Sequence, residues 1–546
     1  MGHLSRYQEI ADTLARHGLG FLAGAVGISR WIPSRRGDVK LASDQPYTTP
    51  QRVRLALEEL GPTFVKLGQL LSTRPDLLPP AYITELSKLQ DAAPPVVAEE
   101  IRQTIREELG SEPEQLFASF EWAPLASASI GQAHTATLAD GTAVVVKVRR
   151  PDAVRQVNED LEILTNLAER AARAWEPARI YNVPGIVQAF AQTLRAELDY
   201  LREAQNAERF AADFADRPDV VIPRVYWETT TSRVLTLERM TGIKINDLTQ
   251  LDAAGVDRRE LARTGTELVL RMLFEHRFFH ADPHPGNLFV HPNGDLALID
   301  FGMVGEITEE LYERLADFFV AFTSRNPTAL ADALIDLSVT RGAVDQDALR
   351  VGLSSFIARY SGRPLSEIHF TQMTTDLLRM VREHHLQLPS EASLVFKVLI
   401  MIEGIGVQLD PDFDLNTVLT RYSRRLMREQ LSVATLMKRM SSASVDTGAL
   451  FLEMPGRLRR LLANVDRNGI EVHLRAAELD PLVGRAERIG NRLVAGMIAA
   501  ALINGVGQLV VHENRWRSWA SALMGAGLTA VTALGGYLVW TFRRRQ

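Results

Sequence analysis

Apolar residues in the first 120 positions recur near helical spacing. Leu55, Leu57, Leu60, Phe64, Leu67, Leu70 and Leu71 follow it across an interruption at Gly61-Pro62, and Pro75, Pro79 and Pro80 end the run. Pro94-Pro95 marks another break, ahead of a helix predicted over Ala98 to Leu109. The period then shortens. Ile130 to Thr137 and Ala143 to Val148 flank Asp140-Gly141, which reads as strand, turn, strand. Helical tracts follow over Asp152 to Ala174 and Val187 to Phe214, and Val220 to Val225 and Arg233 to Glu238 read as two more strands of a small sheet. A helix from Arg259 to His276 opens the next part. Phe278 to Asn287 is expected as loop, and Leu288–Val290 and Leu296–Ile299 as short strands joined at Pro292-Asn293-Gly294. Thr308, with Glu309 and Glu310 behind it, is placed to cap a further helix, and helices continue to Arg439.

The C-terminal tail has another texture. Leu493 to Val511 is 19 residues without a charge, and Ser518 to Phe542 is 25, closed by Arg543-Arg544-Arg545. At 1.5 Å per residue each is long enough for a hydrocarbon core of ~30 Å, and Trp519 and Trp540 stand about one membrane thickness apart. A two-helix membrane anchor is the reading, with a buried hairpin as the alternative. The terminal arginines place the C-terminus in the cytoplasm, against the opposing pull of Arg515 and Arg517. The apolar run Gly18 to Ile28 is too short to span and has no cleavage site behind it, so a buried or interfacial helix is expected there.

Five regions follow: an N-terminal helical extension (1–120), a sheet-bearing lobe (121–245), a helical lobe (246–440), a polar connector (441–492) and the anchor (493–542). At 546 residues the chain is too long for one core. A net charge of -6 gives no reason to expect a nucleic-acid partner, and with no cysteine there is no disulfide, thiol or Cys-metal chemistry.

The chemistry is concentrated in three places. His280-Ala281-Asp282-Pro283-His284-Pro285-Gly286-Asn287 has the D-x-x-x-x-N spacing of a kinase catalytic loop, in which the Asp faces the acceptor and the Asn holds metal. Asp300-Phe301-Gly302 follows the predicted hairpin, the order kinases require. Upstream, Lys147 interrupts Val144-Val145-Val146-Lys147-Val148. A lysine in so apolar a strand needs an anionic partner, and the phosphates of ATP together with a helix glutamate would serve. The constellation points to ATP with Mg²⁺, Lys147 and Asp282 being catalytic candidates and Asn287 and Asp300 metal ligands. His280 and His284 lack the helical setting of a zinc motif, so loop packing is expected of them.

Where a kinase carries its glycine-rich loop, this chain has Ala126-Ser127-Ala128-Ser129-Ile130-Gly131-Gln132, with one glycine and a stiffer backbone. Together these features resemble the UbiB/ADCK family of atypical kinases over about residues 50–400. Lys66-Leu67-Gly68-Gln69, then Ser72-Thr73-Arg74-Pro75-Asp76, looks like that family's KxGQ segment, and Glu197-Leu198-Asp199-Tyr200 like its ExD motif. The resemblance implies a bilobal, protein-kinase-like α+β fold with an N-terminal helical extension and a C-terminal membrane hairpin. It lays Lys66 and Gln69 across the cleft and has Glu197 and Asp199 engage that segment or the metal-bound nucleotide. It makes Glu203 the partner of Lys147, with Glu197 interchangeable in that place, since Asp199 and Glu203 are i,i+4 neighbours and Glu197 projects about 120° away. Ala126, Ser127, Ala128, Ser129, Ile130, Lys147, Glu238 and Met240 are the nucleotide-binding candidates.

Ala281 replaces the arginine through which regulated kinases read a phosphorylated activation loop, and Gly302 to Thr308 is too short for such a loop. A peptide platform is therefore not expected. The resemblance implies a membrane-anchored kinase or ATPase of isoprenoid-quinone, ubiquinone-type metabolism. Its partners would be membrane lipid or quinone intermediates and quinone-biosynthesis enzymes, its place the cell inner membrane with the kinase-like part cytoplasmic. The alternatives are a small-molecule kinase of the aminoglycoside-phosphotransferase type, which Lys66 in the cleft disfavours, and a non-catalytic, nucleotide-switched membrane scaffold.

Overall fold

The computed structural model describes residues 3–21, 47–89, 93–339, 344–360, 370–415 and 418. Residues 22–28 of the short apolar run, the helices expected from 419 to 439, the connector and both charge-free stretches lie outside the described residues.

Among the described residues the first helices are α1 (His3–Arg16), α2 (Thr49–Leu60), α3 (Pro62–Ser72) and α4 (Pro80–Leu86). A fifth, α5 (Ala98–Leu109), begins after Pro94-Pro95 and ends at Gly110 in a left-handed C-cap, with α6 (Pro113–Leu116) behind it. A first sheet is built from β1 (Ser119–Phe120), β2 (Ala126–Ser127), β3 (Gly131–Thr137), β4 (Ala143–Arg149) and β6 (Val234–Glu238), β5 (Val220–Val221) having left for a second sheet. Strand order is β1-β3-β4-β6, all antiparallel, with β2 also on β3. Alternation along β4 sends Val144, Val146 and Val148, each at 0% exposure, to one face, where Ile101 and Ile105 of α5 cover them. Full burial of such a side chain contributes about 1.5–3 kcal/mol relative to exposure. Lys147 is thereby committed to the other face.

Two expected elements differ here. Val220 to Val225 does not continue as a strand beside β6. Pro223 offers no N–H to a ladder, so only Val220 and Val221 pair, in the second sheet, and Val225 keeps a single bridge to Leu237. After α7 (Ala153–Ala174) and α8 (Glu176–Ile180), the helix expected over Val187 to Phe214 is two: α9 (Val183–Glu197) and α10 (Tyr200–Asp213). Asp199 adopts an extended backbone and its carboxylate accepts from Leu201 N, restarting the helix as an N-cap, while Arg149 holds the Leu198 carbonyl.

The second lobe holds α11 (Leu248–Ala253), α12 (Arg258–Arg271) and a π-turn, Met272–His276. Its sheet runs β5-β10-β9-β7, from β7 (Ile243–Lys244), β9 (Leu288–Val290) and β10 (Leu296–Leu298). The turn between β9 and β10 has Gly294 at φ 93, as its Asn-Gly pair requires. The stretch expected as loop from Phe278 begins as strand β8 (Phe278–His280), because β11 (Val304–Glu306) returns antiparallel to it just after Gly302. Then come α13 (Glu309–Thr323), capped by Thr308 as expected, α14 (Pro327–Leu337), α15 (Gln346–Tyr360), α16 (Phe370–Glu383) and α17 (Ser390–Leu409). Among the described residues α17 alone is long and apolar enough to cross a membrane, with a mean hydropathy of 1.8. Its Ala392, Val395, Val398, Leu399, Ile402 and Ile405 are, however, part of the buried core of this lobe.

The N-terminal extension ties the lobes together. Phe64 of α3 packs with Val157, Leu161 and Leu194 beside the first lobe. The segment behind α3 instead reaches the second. Arg74, 5% exposed, donates from Nε and Nη2 to Asp76, which is fully buried, at 2.8 and 2.7 Å. Arg74 also donates to the Leu388 carbonyl, and Asp76 accepts from Leu388 N and Ser393 Oγ. Arg382 donates to the carbonyls of Pro75 and Leu78. Removing one member of such a pair strands a buried charge. Asp76→Ala is expected to destabilise the fold by about 3–5 kcal/mol in equilibrium denaturation, and Arg74→Met/Asp76→Leu to lose less than Asp76→Ala alone.

Candidate active site

Lys147 stands in the middle of its sheet, opposite Ala133 on β3 and Leu235 on β6. Its Nζ lies 2.5 Å from Glu203 Oε1 and 3.6 Å from Asp300 Oδ1. Glu203 is on α10, and the same helical stripe carries Asn206 and Phe210, three and seven residues on. Asn206 Nδ2 donates to the Phe301 carbonyl at 2.9 Å, and the rings of Phe210 and Phe301 are 5.2 Å apart, with Phe301 fully buried. One helix face therefore fixes the lysine's partner and the segment after Asp300. Between the two candidates for pairing with Lys147, the structure selects Glu203. Glu197, in the last turn of α9, faces Lys66 instead, at 2.8 Å.

Burial alone would lower the Lys147 ammonium, but the carboxylates of Asp300 and Glu203 outweigh it and hold the group above its ordinary range. Burial lifts the Glu203 carboxyl, an effect that Lys147 opposes. Asp300 moves the other way: chiefly through Lys147, its carboxyl is held down at about 2. Its side chain is 51% exposed, so a charged oxygen stays open on the cleft. The backbone of Asp300 is left-handed, at φ 64, a strained position for a residue with a side chain. His280 holds it there: Nε2 reaches the Asp300 carbonyl at 2.6 Å while Nδ1 accepts from Asp282 N at 3.0 Å. Burial lowers the His280 imidazole, so the neutral ring bonds one motif to the other. His284 accepts from Gly286 N through Nδ1. Both histidines pack the loop, and among the described residues no cluster of three His, Asp or Glu could hold a metal ion.

Asn287 Nδ2 donates to the Asp282 carbonyl at 3.1 Å, so the amide oxygen is the atom with which it could hold a metal. That oxygen and the Asp300 carboxylate are hard donors of the kind Mg²⁺ takes. Asp282 is met by a residue that sequence reasoning missed: Lys397 Nζ of α17 lies 2.8 Å from Asp282 Oδ1. Its signal was one lysine inside the apolar stretch Leu394 to Ile402.

The loop from Ala126 to Ile130 is held along its length. Ala126 and Ser127 pair with Ala133 and Gln132, and Ala128 N donates to the Gly131 carbonyl. Arg150 donates to the Ala128 carbonyl, to Ser127 Oγ and to the Pro94 carbonyl. Gly131 serves close packing here, since a Cβ would stand 2.1 Å from the Tyr200 hydroxyl. Ser129 and Ile130 share the wall of a small cavity with Pro62, Thr63 and Lys66 of α3. Gln69 donates to the Leu89 carbonyl, within the extension itself. Asp199 caps α10, the N-capping duty such a residue ordinarily has. Glu238 and Met240 lie where the chain leaves β6 for β7 in the other lobe, and Glu238 accepts from Arg224 N.

Residues 88–334 match the family model described as the ABC1 atypical kinase-like domain, 353–414 the UbiB helical domain, and 477–544 the ABC1/UbiB kinase-like C-terminal domain. The chain is 34% identical over 552 residues to the probable protein kinase UbiB of Xanthomonas campestris pv. campestris, covering 97% of this chain and 99% of that one. It is 37% identical over 439 residues to the Synechocystis protein sll1770, covering 79% and 75%. A solved structure, Rv3197 of Mycobacterium tuberculosis in complex with erythromycin, covers 65% of this chain and 90% of its own at 27% identity and a TM-score of 0.43.

The electrostatics generate a pH test. Because the Asp300 carboxyl is depressed from 3.8 to about 2, its contribution to stability is present above the unfolded value and disappears as pH falls towards 2. Lys147→Met removes the main cause. The Asp300 carboxyl carbon, followed by NMR, should then titrate back towards the ordinary carboxylate range; a midpoint still near 2 would show that Lys147 is not what holds it down.

Proposed function

Because the chain belongs to the UbiB family of ABC1 atypical kinase-like proteins, we propose that it is a membrane-anchored ATPase or phosphotransferase that binds Mg·ATP between its lobes and serves isoprenoid-quinone, ubiquinone-type metabolism. The observation that carries the proposal is the Lys147–Glu203 ion pair at 2.5 Å with the ionised Asp300 beside it. Phosphoryl transfer in kinase-like sites needs that pair and that aspartate in place together.

In this reading Lys147 orients the α- and β-phosphates, and Glu203 holds the lysine against them. The loop Ala126–Ile130, with Glu238 and Met240, borders the nucleotide. Asn287 and Asp300 would hold Mg²⁺, which when bound neutralises phosphate charge. Asp282 receives the hydrogen bond of a water or acceptor hydroxyl. As the acceptor oxygen bonds to the γ-phosphorus, the bond to the β,γ-bridging oxygen breaks, ADP leaves with that electron pair, and the acceptor proton passes to Asp282 and on to solvent.

Two features support slow turnover without a protein substrate. Lys66 and Glu197 face each other at the cleft, and the positive charge of Lys66 is felt at Asp300. The segment from Gly302 to Thr308 goes straight into β11 and the next helix cap, leaving no length for a peptide platform. The two charge-free tail stretches and the closing arginines support an inner-membrane anchor with the kinase-like part in the cytoplasm.

Asp300→Asn is expected to abolish metal-dependent nucleotide binding in calorimetry and to lower thermal stability at neutral pH, where the carboxylate contributes, while leaving the protein folded. Unchanged Mg·ATP affinity would contradict the assignment. With radiolabelled ATP, the wild type should hydrolyse slowly, faster with quinone-like lipid, and leave generic peptides unlabelled. Strong peptide labelling would restore a conventional protein kinase.

A further inference from the structure

Asp282 sits in a loop that brings it no cation. His280 is neutral and spans two backbone groups, His284 spends a ring nitrogen on Gly286, and alanine, proline and glycine fill the rest of the stretch before Asn287. The other lysines of the cleft face carboxylates elsewhere, Lys147 at Glu203 and Lys66 at Glu197. The positive charge at Asp282 comes instead from α17, a core helix of the second lobe. Lys397 is only 19% exposed, although its stem is long enough to reach solvent from many helix positions. Holding a lysine that far out of water is unfavourable unless its ammonium has a partner, and the partner it meets is Asp282 Oδ1, at 2.8 Å.

We propose that Lys397 is a positioning residue for phosphoryl transfer. Its ammonium fixes one oxygen of Asp282, leaving Oδ2 for the acceptor. A carboxylate set in place before the acceptor arrives aligns it for transfer without rearrangement of the site. The assignment rests on the phosphotransfer reading given above.

The test compares full-length Lys397→Gln, which keeps a hydrogen-bond donor without charge, with Lys397→Arg, which keeps the charge. Each is made alone and with Asp282→Asn. Mg·ADP affinity should match the wild type in both Lys397 variants, and thermal melts check that every variant compared is folded. Affinity for Mg·ADP with aluminium fluoride, which imitates the transferring phosphoryl group, should fall on the order of 10–100-fold in Lys397→Gln and much less in Lys397→Arg. Turnover should fall in parallel at unchanged KM. In the Asp282→Asn background Lys397→Gln should add almost nothing, because its effect runs through that carboxylate. Equal losses in both backgrounds, or unchanged fluoride-complex affinity and turnover in Lys397→Gln, would overturn the assignment while leaving the phosphotransfer reading intact. A wild type that neither binds Mg·ADP nor hydrolyses ATP would overturn both.

Discussion

The structure depends on one ammonium group held away from water. Strand alternation places Lys147 on the cleft face of a sheet whose other face is closed by valines and α5. A charge in that position is tolerable only with carboxylates beside it, and it finds two. Glu203 comes from a helix of the first lobe and Asp300 from the strand-to-strand crossing of the second, so satisfying one lysine sets how the lobes meet. The remaining contacts of the site reinforce that arrangement. Asn206 and Phe210 continue the stripe of Glu203 onto Phe301, and His280 ties the strained Asp300 backbone to Asp282.

What the sequence disclosed was what is local. Asp282, Asn287 and Asp300 lie within one hairpin's length of each other, and the alternation of β3 and β4 is written in valines, so their geometry follows from short-range spacing. The division of α9 from α10 was hidden because Glu197-Leu198-Asp199-Tyr200 contains neither glycine nor proline; the break comes from an aspartate cap and from an arginine on a distant strand. Without that break Glu197 and Glu203 could not be told apart. Pro223 was a visible signal against a strand through Val225. Lys397 lies 115 residues from Asp282, and no local pattern reports a pairing over that distance.

Restraint is the common theme of the site's borders. The Ala126–Ile130 loop is paired into the sheet, pinned by Arg150 and packed by Tyr200 against a glycine with no room to spare. On the far side, Lys66 is set by Glu197. A site enclosed by fixed elements favours one geometry over rapid exchange of substrates, as the slow turnover proposed for it requires.

The buried Arg74–Asp76 pair has a consequence for the birth of the protein. Its docking partner, the Leu388 backbone, lies 314 residues further along the chain. A ribosome adding about 5–20 residues per second makes that stretch in roughly 15–60 s. Throughout this interval the extension can settle beside the first lobe but cannot lock, and its guanidinium and carboxylate remain hydrated. The fastening that spans the two lobes therefore cannot form before Leu388 and the start of α17 have been made, and it reports that this helix has packed.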